Sequence, residues 1–136
     1  MVGRHMNKRI MIVDDEADIL KALKVLFEHE RYEVITVDSG KQCLNELEKG
    51  FTGVVLMDIM MPHMDGWDTI QTMVDRGLTN HVSIAIITGK GTTDHDKLLG
   101  LESYINDYIV KPVERDTLLR SVERCFSQLY GKTRKR

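Results

Sequence analysis

Val54-Val55-Leu56-Met57 is an unbroken apolar run that ends in a bare carboxylate, Asp58. A short strand buried on both faces of a sheet reads this way, so the acid at its end needs a reason. Asp14 and Asp15 follow the run Ile10 to Val13, Thr88 follows Ile84 to Ile87, and Lys111 follows Tyr108 to Val110. If these runs are neighbouring strands, three carboxylates, a hydroxyl and an ammonium converge on one shallow pocket. Clustered carboxylates repel each other, and hard oxygen donors without His or Cys favour Mg²⁺ or Mn²⁺ as the offsetting cation. Mg²⁺ commonly combines one or two carboxylates with phosphate oxygens, which leaves room for a phosphoryl group. Lys111 would offer that group a point charge and Thr88 a hydrogen-bond donor. Asp58, ionised at neutral pH with an ordinary pKa of about 3.9, is itself a candidate phosphoryl acceptor, since carboxylates act as nucleophiles in acyl phosphate chemistry.

Singly, each residue has a plainer role. Asp14 and Asp15 suit the first turn of a following helix, Thr88 before Gly-Lys-Gly suits a loop, and Lys111 before Pro112 suits a solvated turn. Met57, Met60, Met61 and Met64 read as core and loop filler rather than a metal box, and His63, His81 and His95 share no metal-like spacing. Their joint placement at successive strand ends is what favours chemistry.

The positioning elements alternate. Strands are predicted at Ile10 to Val13, Val34 to Val37, Val54 to Met57, Ile84 to Ile87 and Tyr108 to Val110. Between them, Ile19, Leu20, Leu23, Leu26 and Phe27 line one helical face, as do Leu118, Leu119, Val122, Cys125, Phe126 and Leu129. Ser39 caps a helix closed by Gly50, Gly66 to Arg76 forms another closed by Gly77, and Thr93 to Leu101 is a weaker one. Strand-helix alternation predicts an α/β, doubly wound five-stranded parallel sheet with five helices, whose ligands sit beyond the carboxyl ends of the strands.

At 136 residues and 42% hydrophobic, the chain suits one globular domain with one core. No apolar run approaches the roughly 20 residues of a membrane span. Met1 to His5 reads as a cloning remnant, residues 6–130 as the domain, and residues 131–136, with four cations, as a basic tail or linker stub. Cys43 and Cys125 lack metal or redox spacing and read as free buried thiols in a reducing cytoplasm. A net charge of -2 gives no global pull toward nucleic acid.

IMIVDDE, VVLMDIMMPHMDGW, IITGK and DYIVKP, in that order, resemble the receiver domain of two-component response regulators (CheY-like) over Lys8 to Leu129. The strand order 2-1-3-4-5 and the flavodoxin-like class come with that resemblance, because such receivers are a standard example of that order. The resemblance implies a phosphorylation-dependent switch in which Asp58 takes a phosphoryl group from a sensor histidine kinase or phosphotransfer protein. It implies Mg²⁺ on Asp15, Asp58 and the Met60 backbone carbonyl, with Asp14 acting through water. Lys111 would pair with the phosphoryl oxygen, Thr88 would move toward it, and Tyr108 would swing as the domain switches. Pro112 matches a position that often follows a cis peptide bond. The output face would be the fourth helix, fifth strand and fifth helix, acting on a downstream protein or output domain or forming a phosphorylation-dependent dimer. Such a chain promotes only its own phosphorylation and dephosphorylation, and is otherwise not an enzyme.

The rivals are a scaffold that binds partners without phosphorylation, a DxDxT-type phosphohydrolase and a flavin binder. No acid or lysine is missing for the first, Ile59 and Met60 break the second pattern, and Asp14, Asp15 and Glu16 repel the phosphate of the third. Three positions depart from the family. Tyr104 replaces a common turn glycine, Val113 replaces a Phe, and Met60 and Lys90 flank the route of attacking water. The thioether of Met60 cannot orient water, so slow self-dephosphorylation is expected. Met60→Asn should shorten the phosphorylated lifetime, measured by following loss of the phosphoryl group after the donor is removed.

Overall fold

The computed structural model describes residues 8–61, 64–89 and 98–134, with side chains to residue 131. Five parallel strands form one sheet: β1 (Arg9–Val13), β2 (Glu33–Val37), β3 (Gly53–Asp58), β4 (Val82–Thr88) and β5 (Ile105–Val110), in the spatial order β2-β1-β3-β4-β5. Among the described residues the helices are α1 (Ala17–His29), α2 (Gly40–Glu48), α3 (Gly66–Asp75) and the C-terminal α4 (Arg115–Arg134), with a 3-10 turn at Glu102–Tyr104. The helix expected over 93–101 falls mostly outside the described residues, as do Lys90, His63 and His95.

Every strand outruns the apolar stretch that announced it. The central β3 and β4 are buried along their whole length, whereas β2 and β5, at the sheet edges, are mostly half-buried. Side chains alternate between two cores. Met11, Val13, Val55, Met57, Ile84 and Ile86 pack with Cys43, Leu44 and Leu47 of α2 and Trp67, Ile70 and Met73 of α3. On the other face, Ile10, Ile12, Val54, Leu56, Ala85 and Ile87 meet Phe27 of α1 and Leu118, Val122, Cys125 and Phe126 of α4. Both cysteines are buried and free, and burial pushes the Cys43 thiol up to about 12.

The helix ends obey local chemistry. The Ser39 hydroxyl accepts the Gln42 N–H at 3.1 Å, and the Gln42 side-chain Oε1 accepts the Asp38 N–H at 2.9 Å, a reciprocal cap on α2. Asp65 caps α3 by accepting the Asp68 N–H at 2.9 Å. Gly50 and Gly77, at φ 105 and 69, close α2 and α3. At the end of α1 the same left-handed place is held by Arg31 at φ 75, with no glycine to announce it.

The largest departure from expectation is β5, which begins at Ile105 rather than Tyr108. Its pairing with β4 slips between Ile84↔Ile105 and Ala85↔Asp107, so Asn106 is an extra, bulged residue. Asp107 is held by Ser121 and Arg124 of α4 and by the Tyr108 N–H. Burial raises its pKa, but the Ser121, Tyr108 and Arg124 contacts outweigh burial and hold it below the ordinary value.

Candidate functional site

The register places the acids. Val13 pairs with Met57, and Asp58 pairs with Ile87, so Asp14 and Asp58, each one residue past a paired position, stand at the same level at the carboxyl edge, where strand order reverses between β1 and β3. Asp14, Asp15 and Asp58 each offer a carboxylate oxygen within 4.8 Å of the others. Asp14 and Asp58 are buried, at 3% and 6% exposure, whereas Asp15 is exposed.

Asp14 Oδ1 accepts the Glu16 N–H at 2.9 Å, a turn within the β1–α1 connection. Its Oδ2 lies 3.6 Å from Lys111 Nζ, which stands 4.0 Å from Asp58 Oδ2. Asp58 Oδ1 accepts the Met60 N–H at 3.0 Å. Asp58 therefore keeps one oxygen on its own loop and turns the other toward the lysine. The Lys111 N–H donates to the Thr88 carbonyl at 2.7 Å, tying the end of β5 to the end of β4, and the Lys111–Pro112 bond is cis.

Burial is the largest influence on Asp58 and raises its pKa. The Met60 N–H lowers it, Asp14 raises it, Lys111 lowers it and Asp15 raises it, leaving the carboxyl at about 6 instead of its ordinary 3.8. One lysine does not compensate for three acids. A divalent cation would, and three hard oxygen donors in one shallow place suit Mg²⁺ or Mn²⁺.

The loop after β3 is built close to Asp58. The Gly66 N–H donates to the Ile59 carbonyl at 3.0 Å, and a Cβ on Gly66 would lie 2.7 Å from Ile59 Cα and 2.9 Å from the Asp58 carbonyl. Only glycine lets α3 start there. Trp67, in the first turn of α3, is buried at 4% exposure beside that contact.

The remaining predicted residues sort by position. Thr88 is buried at the end of β4, and Tyr108 is half-buried against the α2/α3 core together with Tyr104. Met60 is 60% exposed, while Met57 and Met61 are buried and Met64 packs on the core. Asp38, the acid that follows β2, lies outside the acid group, exposed beside the α2 cap. Val113, in place of a Phe, lines an apolar groove with Ile19, Leu23 and Pro112. Among the described residues no helix is long and apolar enough to cross a membrane.

Fold and site together define a doubly wound domain with a cation-ready acidic pocket at its topological switch point. The response regulator receiver domain model matches residues 10–123. Response regulator GtcR of Aneurinibacillus migulanus is 36% identical over 125 residues, covering 91% of this chain and 48% of its own length. The alkaline phosphatase synthesis transcriptional regulatory protein PhoP of Bacillus subtilis is 35% identical over 107 residues, covering 79% of this chain and 43% of its own length. A CheY-like response regulator receiver domain protein from Methanospirillum hungatei superposes with a TM-score of 0.86 at 40% identity, covering 92% of this chain and 98% of that one. The chain belongs to the response regulator receiver domain family. It spans about half the length of the curated relatives it matches.

Proposed function

We propose that this receiver domain, taken as residues 6–130, is a phosphorylation-dependent switch with Asp58 as its phosphoryl acceptor. The observation that carries the proposal is the meeting of Asp14, Asp15 and Asp58 within 4.8 Å, with Lys111 reaching both buried acids. An Asp58 oxygen bonds to phosphorus as the P–N bond to a phosphohistidine breaks, and the freed imidazole returns to its sensor histidine kinase or phosphotransfer protein. Bound Mg²⁺ (or Mn²⁺) supplies charge neutralisation for the incoming phosphoryl oxygens.

The chain's own residues do the rest. Asp15, Asp58 and the Met60 carbonyl would hold the metal, and Asp14, already engaged by the Glu16 N–H and Lys111, would act through water. The Met60 N–H fixes one Asp58 oxygen, so the other presents itself beside the Lys111 ammonium, which pairs with the phosphoryl group once formed. Thr88 then turns to the new oxygens, Tyr108 follows, and the segment before β5, β5 and α4 change their presentation to a downstream protein or output domain in the cytoplasm.

The test is intact mass after incubation with Mg²⁺ and acetyl phosphate, beside Asp58→Asn. Gain of one phosphoryl group by the wild type alone, and only with metal, is the expected outcome. No gain in either protein, with fold and Mg²⁺ binding verified, replaces the switch with a phosphorylation-independent scaffold.

A further inference from the structure

We propose that Asn106 is a positioning residue for this site: its bulge sets which way β5 faces when it delivers Lys111. The inference rests on the reading above that Lys111 serves the phosphoryl group.

In a regular strand, side chains two apart share a face. Ile10 and Ile12 of β1, and Val54 and Leu56 of β3, face the α1/α4 core. One more step of the same alternation puts Asp14 and Asp58 on that side. Lys111 must arrive on the same side to meet them.

On β5 the alternation breaks. Ile105 and Tyr108 both pack on the α2/α3 core although they are three residues apart, and Ile109 packs on the opposite one. Such odd spacing on one face requires an extra residue between them, and the slip in pairing places it at Asn106. From Asp107 onward the alternation is reset: Asp107 reaches Ser121 and Arg124 of α4, Ile109 joins the α1/α4 core, and Lys111 follows on the side of the acids. A register without the bulge would turn every later side chain to the other face.

Asn106 suits the place because a bulge leaves a ladder N–H without its partner. Its side-chain carbonyl accepts the Ile84 N–H at 3.1 Å, while its amide donates to Gln128 Oε1 of α4 at 2.8 Å. One side chain thus replaces the missing ladder bond and fastens the bulge to the helix. Aspartate could do both, with the Gln128 amide turned to donate; alanine could do neither.

The experiment compares the full chain with Asn106→Ala, Asn106→Asp and Gln128→Ala by amide hydrogen exchange at Ile84, Ile86–Tyr108 cross-strand NMR contacts, Mg²⁺ affinity by calorimetry, and phosphorylation rate with acetyl phosphate. Asn106→Ala should speed Ile84 exchange at least tenfold and slow phosphorylation at least fivefold. Mg²⁺ affinity should stay within about twofold, because the acids stand on β1 and β3. Asn106→Asp should restore both rates to within about twofold. A wild-type phosphorylation rate in Asn106→Ala, a parallel loss of Mg²⁺ affinity, or no rescue by aspartate would overturn the inference. If Asn106→Ala does not fold, Gln128→Ala decides, with two- to threefold effects expected on the same two rates and no effect overturning it. If the wild type takes no phosphoryl group, the switch reading fails by itself. The exchange and cross-strand contacts then still judge Asn106, and an unchanged pattern in Asn106→Ala overturns its role.

Discussion

Asp58→Asn is expected to stabilise the metal-free protein at pH 7 by about 3 kcal/mol. A carboxyl moved from 3.8 to about 6 disfavours its charged form in the fold by about 1.4 kcal/mol per unit. The amide retains the carbonyl that accepts the Met60 N–H and removes the charge that burial, Asp14 and Asp15 disfavour. The folded carboxyl holds its proton more tightly than the unfolded one. Wild-type stability is therefore relieved of this burden below about pH 4, falls as the pH rises to about 6, and is level above that as far as this group is concerned. The gap between variant and wild type should be small at pH 4 and near its full size at pH 7 in urea titrations. A gap that ignores pH would refute this account. Added Mg²⁺ should close the gap, because binding stabilises the wild type by mass action while the amide variant binds the ion more weakly. The instability stored at this acid is thus the counterpart of its readiness for a cation.

Phe126→Ala is expected to cost about 4 kcal/mol and to lower Tm by about 15 °C. Phe126 is 2% exposed, stacks on Tyr32 with ring centroids 5.4 Å apart, tilts against Tyr130 at 5.9 Å, and lies under Lys8 Nζ at 5.8 Å. Tyr32 in turn meets Phe27 edge-on at 5.9 Å, so one ring joins α1, the start of β2 and α4. A groove of about 410 Å³ beside Phe126 would let water reach part of the vacated space, which places the expectation in the middle of the usual range. Phe126→Leu should cost about 1.5 kcal/mol, the aromatic contacts being lost without a large cavity. This cluster lies at the amino ends of the strands, away from Asp58. The folded fraction of Phe126→Ala should therefore bind Mg²⁺ with wild-type affinity, and a calorimetric titration below its Tm checks this.

The sheet was legible where burial is continuous. The runs at Ile10, Val54 and Ile84 are apolar without interruption because both faces of the central strands are covered, and the acids at their ends stand out for that reason. Ser39, Gly50 and Gly77 marked helix ends through chemistry that acts within a few residues. What stayed hidden depends on distant partners. Ile105 to Asp107 did not read as strand because Asn106 and Asp107 are polar, and only Ile84, Ser121, Arg124 and Gln128 explain them. The end of α1 gave no signal because Arg31 adopts a conformation usually left to glycine. Asp58 stood out by its place, but its raised pKa could not be read there, because it arises from burial and neighbours that three separate strands supply.

Trp67 is the chain's single tryptophan, sealed into the first turn of α3 next to the glycine that touches the backbone of Asp58 and Ile59. Indole emission responds to small changes in nearby charge and packing, and no second indole contributes background. The indole therefore stands one residue from a close approach to the Asp58 backbone, and cation loading or acyl phosphate formation, if they occur as proposed above, should change its emission and be measurable in unlabelled protein by stopped flow.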